Sequence, residues 1–173
     1  CDGEAMTTLS DDLRSLLEQT VIEAREVAES GARATLESLA VERSEPFREM
    51  SADERELRVK LRAHARQLGD VRLPNGEQEV GHLISECAYA HWHRMLFARF
   101  LAENRLLMHP EWGVPVTLDE CRELAAQSGE KDGWTLAGRF AALMLPSIFL
   151  PDDPVLEVRL APEHQQRLEA HLS

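Results

Sequence analysis

The sequence predicts an all-α fold, an irregular bundle of five or six helices with a long central helix, in a single domain over residues 1–173. Apolar residues recur every three to four positions along most of the chain, which is the period of an amphipathic helix. Short stretches with Gly and Pro, which end helices, separate these segments. A hydrophobic fraction of 43% and a charged fraction of 29% are typical of a globular domain with a real core.

The first helix is predicted from Leu9 to about Glu42, where the apolar residues form one continuous stripe. Ser10 is the expected N-cap. Gly31 interrupts the stripe, but a glycine inside a helix costs only about 1 kcal/mol. We therefore expect Gly31 to be a point of close packing and not a break.

The second and third helices have clear sequence signals. Ser51 and Glu54 form a capping box that starts the second helix, and Gly69 should end it. The third helix is predicted from about Glu77 to Asn104, and its second half is apolar on most sides. A helix that is apolar nearly all round is usually central. The third helix is therefore expected to be the axle of the bundle, with the first helix laid along it.

Three shorter helices are expected to follow. A second capping box at residues 117–120 opens a helix to about Ser128, and another helix should run from about Trp134 to Leu145. Residues 151–154 have the composition of a rigid turn, and residues 155–160 alternate like a short extended segment. Pro162 suits the first turn of a terminal helix.

Charge and cysteine content limit the function classes. The formal charge is −12, yet residues 51–109 carry nine Lys/Arg against eight Asp/Glu, so the excess acid lies outside the middle third. Such a charge argues against a whole domain that wraps a polyanion. Three widely spaced cysteines, Cys1, Cys87 and Cys121, fit neither a disulfide framework nor a zinc site and are expected to be reduced. Without a membrane span or a signal pattern, we expect a cytoplasmic protein.

The candidate metal and catalytic residues have simpler explanations. His91 and His93 are two apart and point to different faces of a helix, whereas Cys87 and His91, four apart, lack further ligands. We therefore expect core packing and no metal site. Asp152 and Asp153 lie between prolines and are expected to be turn residues. No phosphate loop, nucleophile elbow or Cys/His nucleophile pattern occurs, so we assign no catalytic residue.

The second helix carries a candidate DNA-contacting ridge. Arg58, Arg62 and Arg66 are spaced four apart, with Arg55 one turn earlier, beside the apolar stripe of this helix. Such a row could hold duplex DNA through its phosphates. The alternative is a solvated face that is partly neutralised by Glu54, four residues before Arg58.

Three stretches carry a resemblance to a known family: "VIEAREVAESGARATLESLAV" (21–41), "AYAHWHRMLFARFLAEN" (88–104) and "GWTLAGRFAALMLPSIFLPDDPVLEVRLAPEH" (133–164). They resemble the N-terminal helical region of large bacterial adenine-specific DNA methylases, the fused restriction-modification enzymes and their relatives in BREX-type phage defence. The resemblance covers nearly the whole chain. Its most specific parts are residues 92–104 and 146–162, and neither is a catalytic motif.

The resemblance implies a supporting domain of a larger enzyme. In that family a Gly-containing turn binds S-adenosylmethionine, and an Asn-Pro-Pro-Tyr-type loop holds the flipped adenine. Neither motif occurs in residues 1–173, where prolines are never paired, so no catalytic or cofactor-binding residue carries over. What is implied is a helical scaffold that packs against the methylase core of the parent protein and helps to hold duplex DNA.

Two further function classes remain open at this point. One is a protein-interaction module whose acidic surface docks another defence subunit, or a DNA-mimic inhibitor without DNA binding of its own. The other is an enzyme acting on a small molecule, which would need a deep polar pocket with converging titratable groups. Binding to duplex DNA that weakens steeply with salt would favour the methylase domain over the acidic module.

Overall fold

The computed structural model describes residues 11–130, 132–146 and 153–172. In this part of the chain all the regular structure is helical, as predicted, and the only β-type pairings are two isolated bridges. The helices are α1 (Asp11–Ser38), α2 (Ala52–Leu68), α3 (Gly81–Glu103), α4 (Leu118–Ser128), α5 (Gly133–Met144), a 3-10 turn (Pro154–Leu156) and α6 (Pro162–Leu172).

Helix α3 is the central helix of the bundle, which confirms the prediction. It contacts α1, α2, α5, the 3-10 turn and α6, while α1 also packs against α6 and α4 packs against α5. The core of α3 consists mainly of small and medium side chains, among them Leu83, Cys87, Ala98 and Leu101. Small residues let neighbouring helices approach closely, so several helices can pack around α3.

Local capping fixes most of the helix ends. Ser51 Oγ accepts a hydrogen bond from the Glu54 backbone N–H at 3.2 Å, and the Glu54 carboxylate accepts one from the Ser51 N–H at 2.8 Å. Gly69 ends α2 in the left-handed conformation, at φ 108°. The same reciprocal box at Thr117 and Glu120 opens α4. The capping signals in the sequence are therefore confirmed, whereas Ser10 lies outside the described residues.

Three predicted boundaries are wrong. Helix α1 ends at Ser38, because Ala40 is left-handed (φ 53°) and the Val41 N–H turns back to the Leu36 carbonyl. Helix α3 starts at Gly81 instead of Glu77. Within residues 153–160 the structure has a 3-10 turn followed by irregular chain instead of an extended segment. Of the predicted turn at residues 151–154, residues 151 and 152 lie outside the described part.

Gly31 is a close-packing point, as expected. A Cβ atom at this position would lie 2.9 Å from the His164 Cβ and 3.1 Å from the Leu160 Cδ2. The backbone of α1 therefore approaches α6 and the segment before it too closely to accommodate a larger residue.

Candidate docking surface

Arg58, in the middle of the predicted ridge, points into the protein. Its side chain is 7% exposed. Its Nε donates to the Ala40 carbonyl oxygen at 2.9 Å, and one terminal nitrogen donates to the carbonyls of Arg43 and Ser44. These carbonyls belong to the end of α1 and the loop after it, where helical hydrogen bonding stops and acceptors are left over.

Arg62 occupies an equivalent position one turn later. It is also 7% exposed, and one terminal nitrogen donates to the carbonyls of Val41 and Arg43 while the other donates to that of Gly76 at 2.7 Å. Burial lowers the pKa of both Arg58 and Arg62 from the usual arginine value. A cation at the C-terminal end of a helix is favourable because the carbonyl dipoles of the helix point towards it.

Arg55 and Arg66 are exposed, yet their guanidinium groups also have protein partners. Arg55 donates to the carbonyls of Phe47, Arg48 and Met50, and Arg66 donates to the Gln78 side-chain oxygen at 3.2 Å. The expectation of one solvent-facing ridge is thus corrected for Arg58 and Arg62. These two arginines connect α2 to the chain after α1 through hydrogen bonds to backbone carbonyls. A planar guanidinium can donate to several carbonyls at once. Contact of the four arginines with DNA stays a prediction.

Cys87 and His91 of α3 lie in apolar surroundings. The Cys87 thiol is buried, and burial, with smaller contributions from Asp153 and Glu86, raises its pKa to about 12. Burial, together with the nearby Arg94, lowers the pKa of His91 to about 4, and a hydrogen bond to the Val158 backbone opposes this shift. Within the described residues, no group of three His, Cys, Asp or Glu side chains is arranged to hold a metal ion.

Asp153, one of the two candidate acids, has a local structural partner. Its carboxylate accepts a hydrogen bond from the Val155 N–H at 3.0 Å and starts the 3-10 turn, as expected of a turn residue. The carboxylate also lies 3.8 Å from His64 Nε2. Asp152 lies outside the described residues.

One side of α3 presents aromatic side chains to the surface. Residues at positions i, i+4, i+7, i+8 and i+11 share a helix face; here they are Tyr89, His93, Leu96, Phe97 and Phe100, which we call the aromatic face. Tyr89 is 57% exposed, Phe100 53% and Leu96 40%. The water-facing side of a helix is normally polar. An exposed apolar face such as this one is typical of a surface that binds a partner.

The rings of the aromatic face are ordered by contacts with one another. Tyr89 stacks on His93 with ring centroids 5.3 Å apart, and His93 stacks on Phe97 at 5.9 Å. Phe100 lies 6.3 Å from Phe97 in a tilted arrangement. Ring pairs at these separations attract each other. The face is therefore a preorganised row over three helical turns.

A groove between α1 and α3 borders the aromatic face. It has a volume of about 280 Å³. Its apolar lining is Val21, Ala88, Tyr89 and Trp92, and its polar lining is Arg25, Glu29 and Ser85. Tyr89 belongs to both the groove and the aromatic face, so the two form one continuous surface. A groove of this size accepts a side chain and is smaller than most sites for cofactors.

Sequence reasoning missed this surface. The second half of α3 is apolar on most sides, which predicts a central helix and gives no indication of an exposed apolar face. The signal present in the sequence was the row of Tyr89, Leu96 and Phe100 at helical spacing in a helix without a polar face. A helix with no polar side either is buried all round or has an unoccupied apolar side, and sequence alone does not separate these cases.

Comparisons with known proteins give no family assignment. No protein-family model matches the chain, no curated protein is significantly similar to it, and no solved structure has a significantly similar fold. Among the described helices, none is both long enough and apolar enough to cross a membrane.

Proposed function

We propose that this chain is the N-terminal helical domain of an adenine-specific DNA methyltransferase that acts in restriction-modification or phage defence in the bacterial cytoplasm. In this proposal the domain is a scaffold without catalytic residues of its own. S-adenosylmethionine and the adenine-binding loop belong to the methylase core of the parent protein. The domain holds that core and contributes to the grip on duplex DNA.

The observation that carries the proposal is where the three family-like stretches lie. Residues 21–41 cover most of α1, residues 88–104 cover most of α3, and residues 133–164 run from α5 to the start of α6. Helix α3 packs against α1, α5 and α6. The described parts of these stretches therefore belong to one packed unit and are not scattered over unrelated surface segments, which supports a shared domain.

The contribution to DNA binding rests on fewer residues than the sequence suggested. Arg58 and Arg62 are engaged by backbone carbonyls, so they are poor candidates for binding phosphate. Arg55 is exposed but also donates to three backbone carbonyls, so Arg66, which is exposed and donates to the Gln78 side chain, is the stronger of the two remaining candidates. Removing either arginine, if it neutralises one phosphate, should reduce the salt dependence of DNA binding by about one unit of slope.

The test is an extension of the reading frame beyond residue 173, followed by assays of the complete protein. We expect a Gly-containing cofactor turn, an Asn-Pro-Pro-aromatic loop, and methyl transfer to adenine in duplex DNA by the complete protein. The 173-residue chain should transfer no methyl group. A reading frame without these motifs, or turnover by the 173-residue chain alone, would refute the proposal.

The burial of Arg58 and Arg62 also favours a second candidate, the acidic interaction module or DNA mimic. Two cations, Arg58 and Arg62, are turned inward against one buried acid, Asp70, so the exterior is slightly more acidic than the formal charge of −12 implies. An acidic exterior repels duplex DNA and attracts basic proteins. Absence of DNA binding at low salt, together with competition against DNA for a basic partner, would favour this candidate over the methylase domain.

A further inference from the structure

We propose that the aromatic face of α3 and the adjoining groove form the docking surface for an apolar-faced helix of the methylase core. This inference rests on the proposed function for the identity of the partner. It adds the surface that is used, the chemistry of the partner and the physical nature of the contact.

The shape of the surface favours a helix as the occupant. From Tyr89 to Phe100 the aromatic face spans eleven helical steps, or about 16 Å at 1.5 Å per residue. Three turns of a partner helix have the same length and present side chains at matching spacing. Beside this row, the groove accepts one large side chain against Trp92 and Tyr89. A row of ordered rings next to a pocket is the arrangement in which aromatic anchors contribute most of the binding energy.

The charges around the surface favour an apolar partner with no net charge. Arg25 Nε lies 2.8 Å from Glu29 Oε1 at the groove, and Arg99 Nε lies 2.8 Å from Glu103 Oε1 near the end of the aromatic face. Both are neutral pairs one turn apart on a helix. Because each pair is neutral by itself and Glu86, three residues before Tyr89, is half-buried, a partner gains little from carrying an opposite charge, and binding should change little with salt. A nucleic acid, whose binding depends on unpaired cations, fits this surface poorly.

The area of the surface favours a tethered partner over a second copy of the chain. Tyr89, Leu96 and Phe100 expose on the order of 300 Å² in total, since an aromatic side chain carries about 150–250 Å² of surface. A stable dimer of free chains needs about 800 Å² on each partner. Domains of one polypeptide associate through interfaces of about 600–1,500 Å² in total, and the aromatic face reaches the lower end of that range.

Hydroxyl-radical footprinting of the complete protein and of the 173-residue chain tests the inference. Tyr89 and Phe100 should be oxidised on the order of tenfold more slowly in the complete protein, because the partner helix excludes water from hot-spot side chains. Trp112, which is 59% exposed on the loop between α3 and α4, is the internal reference and should react equally in both samples. Equal oxidation of Tyr89 and Phe100 in both samples would overturn the inference. Slower oxidation in the 173-residue chain at high concentration would do so too, by making a second copy the occupant.

Substitutions in the complete protein give an independent readout. The double variant Tyr89→Glu/Phe100→Glu should expose the junction between domain and core to limited proteolysis, with cleavage on the order of tenfold faster. The milder variant Tyr89→Ala/Phe100→Ala should have a smaller effect in the same direction. Val59→Glu on α2, at a position that is 63% exposed, is the matched control and should leave cleavage unchanged. Cleavage at the wild-type rate in both double variants would contradict the docking role.

The two proposals fail separately. If the complete protein methylates adenine while Tyr89 and Phe100 stay as reactive as in the 173-residue chain, the docking surface is wrong and the methylase assignment stands. If the complete protein has no methylase motifs and yet Tyr89 and Phe100 are protected, the surface binds a helix of another partner, and both the methylase assignment and the named occupant are wrong.

Discussion

The Arg58 Nε donates to the Ala40 carbonyl oxygen at 2.9 Å, and this bond joins the middle of α2 to the residue at which α1 turns out of its helix. Eighteen residues separate the two in sequence. The acceptor lies in the turn that follows α1, where helical hydrogen bonding has already stopped. Arg58 thus holds this turn against α2. Its spacing from Arg62 fits a DNA-binding ridge in sequence, but its side chain points into the protein.

Arg58→Ala should destabilise the fold by about 1–3 kcal/mol, because the buried Ala40 carbonyl and the Ser44 carbonyl lose their donor, while the Arg43 carbonyl keeps its bond from Arg62. Arg58→Lys should recover only part of this loss, since one ammonium cannot reproduce the planar fork of the guanidinium. Urea unfolding followed by circular dichroism measures both. Arg48→Ala, at an exposed position in the loop before α2, is the control and should change stability by less than about 0.5 kcal/mol. A loss of that small size for Arg58→Ala would restore the surface interpretation of this arginine.

The free energy of unfolding should depend on His91 between pH 4 and 6.5. Burial and the nearby Arg94 lower the pKa of His91 from 6.5 to about 4 in the folded chain. As pH falls through this window, the unfolded chain binds the proton first, so folding loses stability; above pH 6.5 the contribution is complete. Between pH 7.5 and pH 4, the loss due to His91 should reach about 3 kcal/mol.

The contribution of His91 is measured from the slope of the free energy of unfolding against pH. Carboxylates titrate in the same window, so the wild-type chain is compared with His91→Gln by urea unfolding at several pH values. The variant should lose less stability on acidification than the wild type. Ser85→Ala, at an exposed and non-titrating position of the same helix, is the control and should keep the wild-type dependence of stability on pH. Parallel curves for wild type and His91→Gln would show that this imidazole does not sense pH as described.

Sequence reasoning predicted well those elements whose signals are local. The capping box at Ser51 starts α2 at the next residue, and Gly69 directly follows its last residue, so both ends lie next to the residues that predict them. The start of α3 was predicted four residues too early, because its cap is Asp70, which is remote in sequence and holds the His82 and Leu83 N–H groups. A cap that comes from twelve residues away leaves no pattern at the helix start.

The candidate site was less predictable for a related reason. A spacing of four tells which arginines share a side of α2, but the occupant of that side is the chain after α1, fixed only by tertiary packing. Likewise, the same row of apolar residues in α3 is compatible with a face that another helix covers and with a face that is exposed to water. Periodicity identifies faces and leaves their neighbours open.

Asp70→Ala should destabilise the fold by about 1–3 kcal/mol. The Asp70 side chain is buried, with Oδ1 accepting from the His82 N–H at 2.9 Å and Oδ2 from the Leu83 N–H at 3.0 Å. A carboxylate is favourable there because the free N–H groups at a helix start are partly positive. Asp70→Asn keeps an acceptor for one N–H group and should cost less. Native-state hydrogen exchange at His82 and Leu83 should become faster in both variants; unchanged exchange would mean that water replaces the cap without cost.

Gly31 of α1 and Gly138 of α5 should respond in opposite directions to replacement by alanine. Replacing glycine by alanine inside a helix stabilises by up to about 1 kcal/mol when there is space for the methyl group. At Gly138 a Cβ meets no atom within 4 Å, so Gly138→Ala should be neutral or stabilising by up to this amount.

At Gly31 the new Cβ would lie 2.9 Å from the His164 Cβ, an atom held close to the backbone of α6. Overpacking of this kind costs about 1–3 kcal/mol and outweighs the gain in propensity. Thermal unfolding of the two variants beside the wild type checks the difference in sign, and a stabilised Gly31→Ala would mean that α6 shifts away from α1 at little cost.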